Sequence, residues 1–598
     1  MKNLNIELSP QSISNPSLLA LAWKKAHQYI RTTNWYADNF ELDESSVNLS
    51  NLCSQWSEQL KQCNLVFTDL ELIPAPKSQK WEFSEHFDEK HHSCLKWAPK
   101  IIDSEKSEPN KSPVKLRPLA HIGIKEQTIM TLLMMFLANH VESQQGDPST
   151  DYKDVHDKNV VSYGNRLYCS YHNGKAEHNY GATNSYSKFF KDYQTFLQRP
   201  YYFANKELTE KSLDEEVFLV ELDLKQFFDK IRRIELIEKI FNITDELSGS
   251  SQKNKPLNHI LKLFENWGWS DHSSQTSDLC NYDTSSPNGI PQGLVAGGFL
   301  ANIYLLEFDK TMAQHIGQSI TSNSDQEIEI RIVDYCRYVD DIRFTVIGPT
   351  RSSNNPKPLE QIKQTLKSFL NEKLDSLQLE INDDKTKVEI YRGKSVGISK
   401  QLQDIQTKVS GPISFDEAHE QITQLESLLS VCAENTPEQN HRECLPNRLA
   451  SIERNIFDVR DDTLRRFAAN KISRMLNSIR HFTARETDEH HNPIAGDWDY
   501  LQERMARRLI AIWSRDPSLV LLLKKGLELF PCPKLLEPVL EQFELIFKQT
   551  CNPSDKERLL EIRKQKAVIH YLQSEIFRHS AEVIHKKDPQ AVPAQANF

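Results

Sequence analysis

The stretch RYVDDIRF, Arg337 to Phe344, constrains this chain more than any other. Asp340 and Asp341 stand side by side in a run that otherwise reads as strand, apolar and aromatic. Adjacent carboxylates repel, and a charge left in an apolar layer without a partner is costly. A hairpin tip resolves the conflict: the flanks hold two short strands in a core while the tip exposes both acids. A third acid is set in a similar way. VFLVELDL, from Val217, reads as a buried strand closing on Asp223. Carboxylates held close together call for a cation. Magnesium takes hard oxygen ligands, commonly one or two carboxylates plus substrate phosphates. Two such ions, about 3.5–4 Å apart, activate a 3′ hydroxyl and stabilise a leaving pyrophosphate. Taken alone, Asp-Asp also reads as a solvated surface turn. Glu221, facing the opposite side of its strand, and Asp229, in the next helix, are acids without that placement.

Bulk properties set the class. A length of 598 residues allows several domains with large cores. Charged residues at 26% and apolar residues at 38% fit a folded chain rather than a disordered one. The net charge of -10 argues against a nucleic-acid coat protein. It leaves room for an enzyme that gathers basic charge in one groove. Ten cysteines without a C-x-x-C pair read as reduced thiols. The opening MKNLNIELSPQS has no apolar signal core. The most apolar run, Thr128 to Ala138, falls short of the roughly 20 residues that span a bilayer. The expectation is a cytoplasmic enzyme with no membrane partner.

Along the chain, SEKSEPNKSP (Ser104 to Pro113) reads as a loop, and KLRPLAHIGIKEQTIMTLLMMFLANHVE opens extended and becomes an apolar helix. Residues 244–288 read as a polar insertion. NGIPQGLVAGGFLANIYLLEF passes from a Gly/Pro turn into a helix. LEQIKQTLKSFLNEKLDSL carries Leu359, Ile362, Leu366, Phe369, Leu370, Leu374 and Leu377 on one amphipathic stripe. LQLEINDDKTKVEIY reads as strand, turn, strand. The middle therefore runs strand, helix, helix, strand pair, helix, strand, the layout of a split βαβ, ferredoxin-like sheet. Beyond about residue 400 strand signals give way to helical periodicity.

Five stretches resemble, in order, the motifs of reverse transcriptases over about residues 100 to 400. KLRPLAHI resembles the fingers motif, ELDLKQFFDKI the first carboxylate motif and GIPQGLVAGGFLANIYL the P-Q-G motif. RYVDD resembles the Y-x-D-D box and LQLEINDDKTKVEIY the K-T motif. The resemblance implies an α+β chain: a right-hand fingers-palm core with a ferredoxin-like palm, followed by an all-α C-terminal region. The implied division is an N-terminal extension and part of the fingers over 1–100, fingers over 101–216, a palm over 217–400 with an insertion at about 244–288, and a thumb-replacing helical domain over 401–598.

By resemblance, Asp223, Asp340 and Asp341 are the metal ligands for two Mg2+ ions, with Mn2+ able to substitute. Phe228 falls where an aromatic under the incoming sugar favours deoxynucleotides. Gln292 and Gly293 shape the nucleotide pocket, and Lys385 serves the pyrophosphate. Lys115, Arg117 and Arg166 are candidate triphosphate clamps, since arginine offers a bidentate fork to phosphate. The chain departs from the family after P-Q-G, with Leu294 and Val295 where Ser-Pro is common. No primer-grip motif stands out after Tyr391; RGKSVGIS is a poor match.

SYGNRL and DDTLRRFAANKISR resemble bacterial abortive-infection and other antiphage-defence reverse transcriptases. That resemblance implies synthesis of DNA from dNTPs without an added template or from a protein tyrosine, and a homo-oligomer. Tyr36 is one candidate priming hydroxyl. Residues 451–480 hold seven Lys/Arg against four Asp/Glu. Arg465, Arg466, Lys471 and Arg474 there read either as a channel for the DNA product or as a solvated helical face. His86, His91, His92 and Cys94, and later His490 and His491, lack metal-finger spacing and read as loops. Three other readings stand beside the lead. One is a conventional RNA-templated enzyme with a bound non-coding RNA or a neighbouring defence protein. Another is a catalytically silent nucleic-acid-binding scaffold. The third, a viral-type RNA polymerase, is disfavoured by Phe228 and P-Q-G.

Overall fold

The run from Glu215 to Asp223 is apolar from Val217 to Val220 and again at Leu222, and in the computed structural model it forms a strand with those residues buried. The structure describes residues 6–33, 39–87, 93–100, 114–248, 254–286, 288–321, 328–350, 358–393, 422–423, 425–426, 429, 459–480, 487–491, 494–552 and 554–586. Six strands form two-stranded pairs: β1 (Glu71–Pro76) with β4 (Leu116–His121), β2 (Trp81–Phe87) with β3 (Ser93–Pro99), and β5 (Cys169–His172) with β6 (Lys175–His178). The remaining five build one antiparallel sheet: β7 (Glu215–Asp223), β8 (Ser319–Thr321), β9 (Glu329–Tyr338), β10 (Asp341–Pro349) and β11 (Lys387–Ile390).

The spatial order of that sheet is β11-β7-β10-β9-β8. Without the short edge strand β8 this is the ferredoxin-like order, as the spacing of elements predicts. The fold is α+β. Two of its helices, Ile124–Gln145 and Gly297–Gln314, are apolar around most of their circumference and are buried accordingly. The helix Pro358–Leu374 is amphipathic and buries Ile362, Leu366, Leu370 and Leu374, while Leu359 of the expected stripe is left exposed.

The described residues fall into two compact units. The first comprises Met1–Glu71, Ala120–Ser274 and Asp283–Ser399, and the second Leu72–Leu119, Gln275–Tyr282 and Lys400–Phe598. The stretch 72–119, expected with the fingers, is thus built into the unit that holds the C-terminal helices. The anchor is Trp97, almost fully buried: its indole N–H donates to the Ser514 carbonyl at 2.9 Å, and its backbone N–H donates to Gln542 Oε1 at 2.9 Å. The C-terminal part of this unit is helical: Asp461–Arg480, Asp497–Arg515, Val520–Leu529, Glu537–Phe547 and Lys556–Lys586.

Two local expectations are corrected. The polar region 244–288 contains the helices Lys255–Glu265 and Asp271–Cys280, and the first of these sends Leu257, Ile260, Leu261 and Phe264 into the core. LQLEI does not form a strand. It is a 3-10 turn, Asp375–Leu377, followed by a single bridge from Ile381 to Leu224. The loop at 104–113 lies outside the described residues. Among the described residues no helix is long and apolar enough to cross a membrane.

His178 on β6 is 4% exposed, and burial, reinforced by the charge of Lys25, lowers its pKa to about 3. An unfolded histidine titrates near 6.5, so below that pH the unfolded chain takes up a proton that the folded chain refuses. Stability present above pH 6.5 is therefore lost as the pH falls toward 3. Urea midpoints at pH 7 and pH 5 check this. His178→Phe is expected to hold the wild-type midpoint at pH 7 and to keep about 2 kcal/mol more than wild type at pH 5.

Candidate active site

The hairpin β9–β10 turns at Val339 and Asp340, and Val339 adopts a φ of 59°. That is the left-handed region, strained for a β-branched residue and tolerated only where the surroundings hold it. Here they do. Arg337, fully buried, donates from Nη1 to the Val339 carbonyl at 2.9 Å. Its Nε and Nη2 grip the carboxylate of Asp309, on the helix Gly297–Gln314, at 2.9 and 2.5 Å. The same carboxylate accepts from the Tyr335 hydroxyl at 2.8 Å.

SYGNRL supports the tip from the other side. A Cβ placed on Gly164 would lie 2.4 Å from the Val339 nitrogen, so only glycine lets this loop ride on the turn. Asn302 donates to the Gly164 carbonyl at 2.8 Å, and Arg337 Nη2 donates to Ser162 Oγ at 3.1 Å.

The acids meet through strand register. Asp341, first in β10, pairs directly with Asp223, last in β7. Leu224 N–H donates to the Asp340 carbonyl at 3.1 Å, which ties the tip to the end of β7. Asp223 is 4% exposed and Asp341 8%. The expectation that the tip leaves both adjacent acids exposed is corrected: Asp341 is buried because its backbone already belongs to a central strand. Burial, then the charges of Asp341 and Asp223, raise the Asp340 pKa to about 7.

Lys385 meets this field. It closes the 3-10 turn Asp383–Lys385, is half exposed, and its Nζ lies 2.8 Å from Asp223 Oδ2. Asn382 N–H donates to the Asp223 carbonyl at 2.8 Å, and its amide donates to Asp223 Oδ1 at 3.3 Å.

The P-Q-G turn is pinned beside β4. Gly293 has a φ of 135°, and an added Cβ would lie 2.5 Å from the Ala120 carbonyl oxygen. Ala120 N–H donates to the Gln292 carbonyl at 2.8 Å. Gln127 bridges the turn, donating to the Gly293 carbonyl and accepting from Val295 N–H, both at 2.8 Å. Phe228 is half-buried against the core, and its carbonyl accepts from Ile290 N–H at 2.9 Å. Gln292 donates to Asp229 Oδ1 at 3.3 Å.

Other expected residues lie elsewhere. Arg166 is corrected as a triphosphate clamp: it is buried, with Nε 2.8 Å from Glu142 Oε2 and the rest of its fork on the Ser162 and Gly146 carbonyls and the Tyr171 hydroxyl. Lys115 and Arg117 belong to the second unit. There burial, then the charge of Arg466, lowers the Arg117 pKa, while Tyr571, Asp462 and Asp516 act the other way. Arg465, Arg466, Lys471 and Arg474 share the helix Asp461–Arg480. Tyr36, His91, His92 and residues 394–399 of RGKSVGIS lie outside the described residues, as do the side chains of His86 and Cys94. His490 and His491 sit in a turn and are exposed.

Sequence reasoning missed Arg337, Asp309, Asn302, Gln127 and Asn382. It also missed Phe189, half exposed, whose ring stacks on Tyr193 at 5.4 Å and meets Tyr338 edge-on at 5.8 Å. The signal for Arg337 was a charge set between Cys336 and Tyr338 beside the Asp pair, and nothing local in the helix marked Asp309 as its partner.

With this geometry in view, residues 180–420 match the family described as reverse transcriptase (RNA-dependent DNA polymerase). Over this stretch the chain is similar to reverse-transcriptase domains. The match takes in β7, the P-Q-G turn, the β9–β10 hairpin and Lys385. No curated protein matches the chain. Among solved structures, telomerase from Candida albicans with a fragment of telomeric RNA is 13% identical, covering 85% of this chain and 67% of its own, with a TM-score of 0.26. Apo telomerase from Candida Tropicalis is 10% identical, covering 91% and 78%, with a TM-score of 0.26.

Within the matched residues Arg337 is a positioning residue. Arg337→Met leaves Asp309 buried without its cation, and is expected to lower stability by about 3–5 kcal/mol in urea titration. Gly164→Ala is expected to leave the sheet folded by circular dichroism while displacing the tip, and with it any activity that depends on Asp340 and Asp341.

Proposed function

We propose that the first unit is a DNA polymerase of reverse-transcriptase type that adds deoxynucleotides to a 3′ end by phosphoryl transfer. One observation carries the reading: the register that sets Asp341 opposite Asp223, with Asp340 at the tip joining them. Burial, then the charges of Asp341 and Asp223, raise the proton affinity of Asp340, the electrostatic state that a divalent cation relieves. Among the described residues no three acidic, histidine or cysteine side chains converge enough to hold an ion by themselves. That suits magnesium, which needs one or two carboxylates and completes its shell with substrate phosphates and water. Asp223 and Asp341, with Asp340, would hold it. Bound magnesium supplies charge for the attacking 3′ oxygen and the leaving pyrophosphate.

The chain's own groups do the rest. Lys385 Nζ offers a proton or a charge to the departing phosphates, and its exposed stem lets it leave Asp223 when a triphosphate enters. The ring of Phe228 excludes a ribose 2′ hydroxyl. Gln292 and Gly293 present backbone and amide to the nucleotide, and the conformation of Gly293 admits no side chain there.

The finer reading is antiphage defence, with untemplated or protein-primed synthesis. Its support is the resemblance of SYGNRL and DDTLRRFAANKISR, together with the helical content of the second unit. A homo-oligomer and Mn2+ substitution belong to the same reading.

Purified protein with magnesium and labelled dNTPs, without added nucleic acid, tests both levels. Label that stays with the protein until protease treatment, and is absent from Asp340→Ala/Asp341→Ala, is the expected result. Free product abolished by nuclease pretreatment would replace self-priming with a bound template or primer. No incorporation even on an added primer and template would overturn the polymerase reading. EDTA is expected to stop incorporation and added Mg2+ to restore it. Phe228→Ala is expected to admit ribonucleotides, at least tenfold better relative to dNTPs, a change of about 1.4 kcal/mol in discrimination.

A further inference from the structure

The second unit holds an open cleft of about 440 Å³ between the helices Asp461–Arg480 and Val520–Leu529. Asn470, Lys471, Ser473, Arg474 and Asn477 line it from the first helix, and Lys525 and Glu528 from the second. Its volume is in the range of small-ligand sites. Those are mostly apolar, whereas every side chain lining this cleft is polar or charged.

The charges inside are unequal. Glu528 accepts from Lys525 Nζ at 2.6 Å and from Ser473 Oγ at 3.5 Å, and Asn477 donates to Ser473 Oγ at 3.3 Å. That relay neutralises Lys525. Among the described residues, Lys471 and Arg474 form no ion pair with a carboxylate. They stand one turn apart on one helix, a like-charge spacing that destabilises an isolated helix. Partial burial, then the charge of Arg474, lowers the pKa of Lys471. Both line the cleft, Lys471 half-buried with its Nζ 5.6 Å from the centre of the Phe467 ring beneath it.

We propose that this cleft is a phosphate-binding site, with Lys471 and Arg474 as its cations and Asn470 and Asn477 as neutral donors. The chemistry is that of a nucleotide phosphate rather than a base: no aromatic ring lines the cleft, and Phe467 beneath Lys471 is buried and already covered by it. The phosphate comes either from a strand or from a free nucleoside triphosphate. The site does not rest on the polymerase reading, because it is measured by binding alone, without catalysis.

The test is equilibrium binding to the full chain of two probes, labelled oligo-dT of about twelve nucleotides and inorganic tripolyphosphate, over a series of salt concentrations. Lys471→Glu/Arg474→Glu is expected to bind at least one probe ~10-fold or more weakly, with the salt slope for the strand reduced by about one to two. Loss for oligo-dT assigns the strand, and loss for tripolyphosphate alone assigns the free nucleotide. Glu528→Gln releases Lys525 and is expected to tighten the same probe several-fold, which keeps the site testable if the double variant fails to fold. Unchanged binding of both probes by a folded double variant overturns the site, and so does weaker binding by Glu528→Gln.

Discussion

The ion pair between Arg337 and Asp309 is the interaction on which the rest of the first unit depends. It lies wholly inside the protein, where its strength comes from good geometry and its vulnerability from the absence of water. Arg337 has one guanidinium and three tasks. It fastens β9 to the helix Gly297–Gln314, reaches Ser162 in the neighbouring loop, and caps the Val339 carbonyl at the turn. The left-handed Val339 persists because that cap and the Gly164 backbone leave it no room to relax. The register then does the chemistry's positioning. Once β10 is paired with β7, Asp341 faces Asp223 with no freedom left to the backbone.

Two glycines show how closely backbone segments approach around these acids. Gly164 lies against the hairpin tip and Gly293 against Ala120. Each brings a motif loop nearer than any side chain would allow, and each loop is then held by an amide: Asn302 on Gly164, Gln127 on Gly293. Asp223 and Asp341 thus sit at the ends of regular strands, while the glycine loops around them are pinned by helical side chains. Such a site resists drift, because moving any one loop breaks a buried hydrogen bond.

Much of this was legible in the residues. The ferredoxin-like order follows from where apolar runs and amphipathic stripes fall, and the end of β7 and the tip of the hairpin could be placed from RYVDDIRF and VFLVELDL. What could not be read was partnership. Arg166 looked available for phosphate because nothing local shows that Glu142, closing an apolar helix, faces it. The burial of Asp341 depends on a strand pairing far away in sequence. Polar composition over 244–288 hid the helix Lys255–Glu265, whose apolar residues recur every three or four positions among polar ones. The placement of 72–119 with the C-terminal helices depends on Trp97, and an aromatic residue in a strand does not announce which core it enters.

The central claim is that Asp223, Asp340 and Asp341 form one cation site completed by a triphosphate. Electron paramagnetic resonance of Mn2+ bound to the full chain tests it most directly, with and without a non-hydrolysable dNTP, in wild type and in Asp341→Asn. The account predicts weak binding to the chain alone, a marked gain when the nucleotide is added, and loss of that gain in the variant. An equal response to nucleotide in wild type and Asp341→Asn would contradict it.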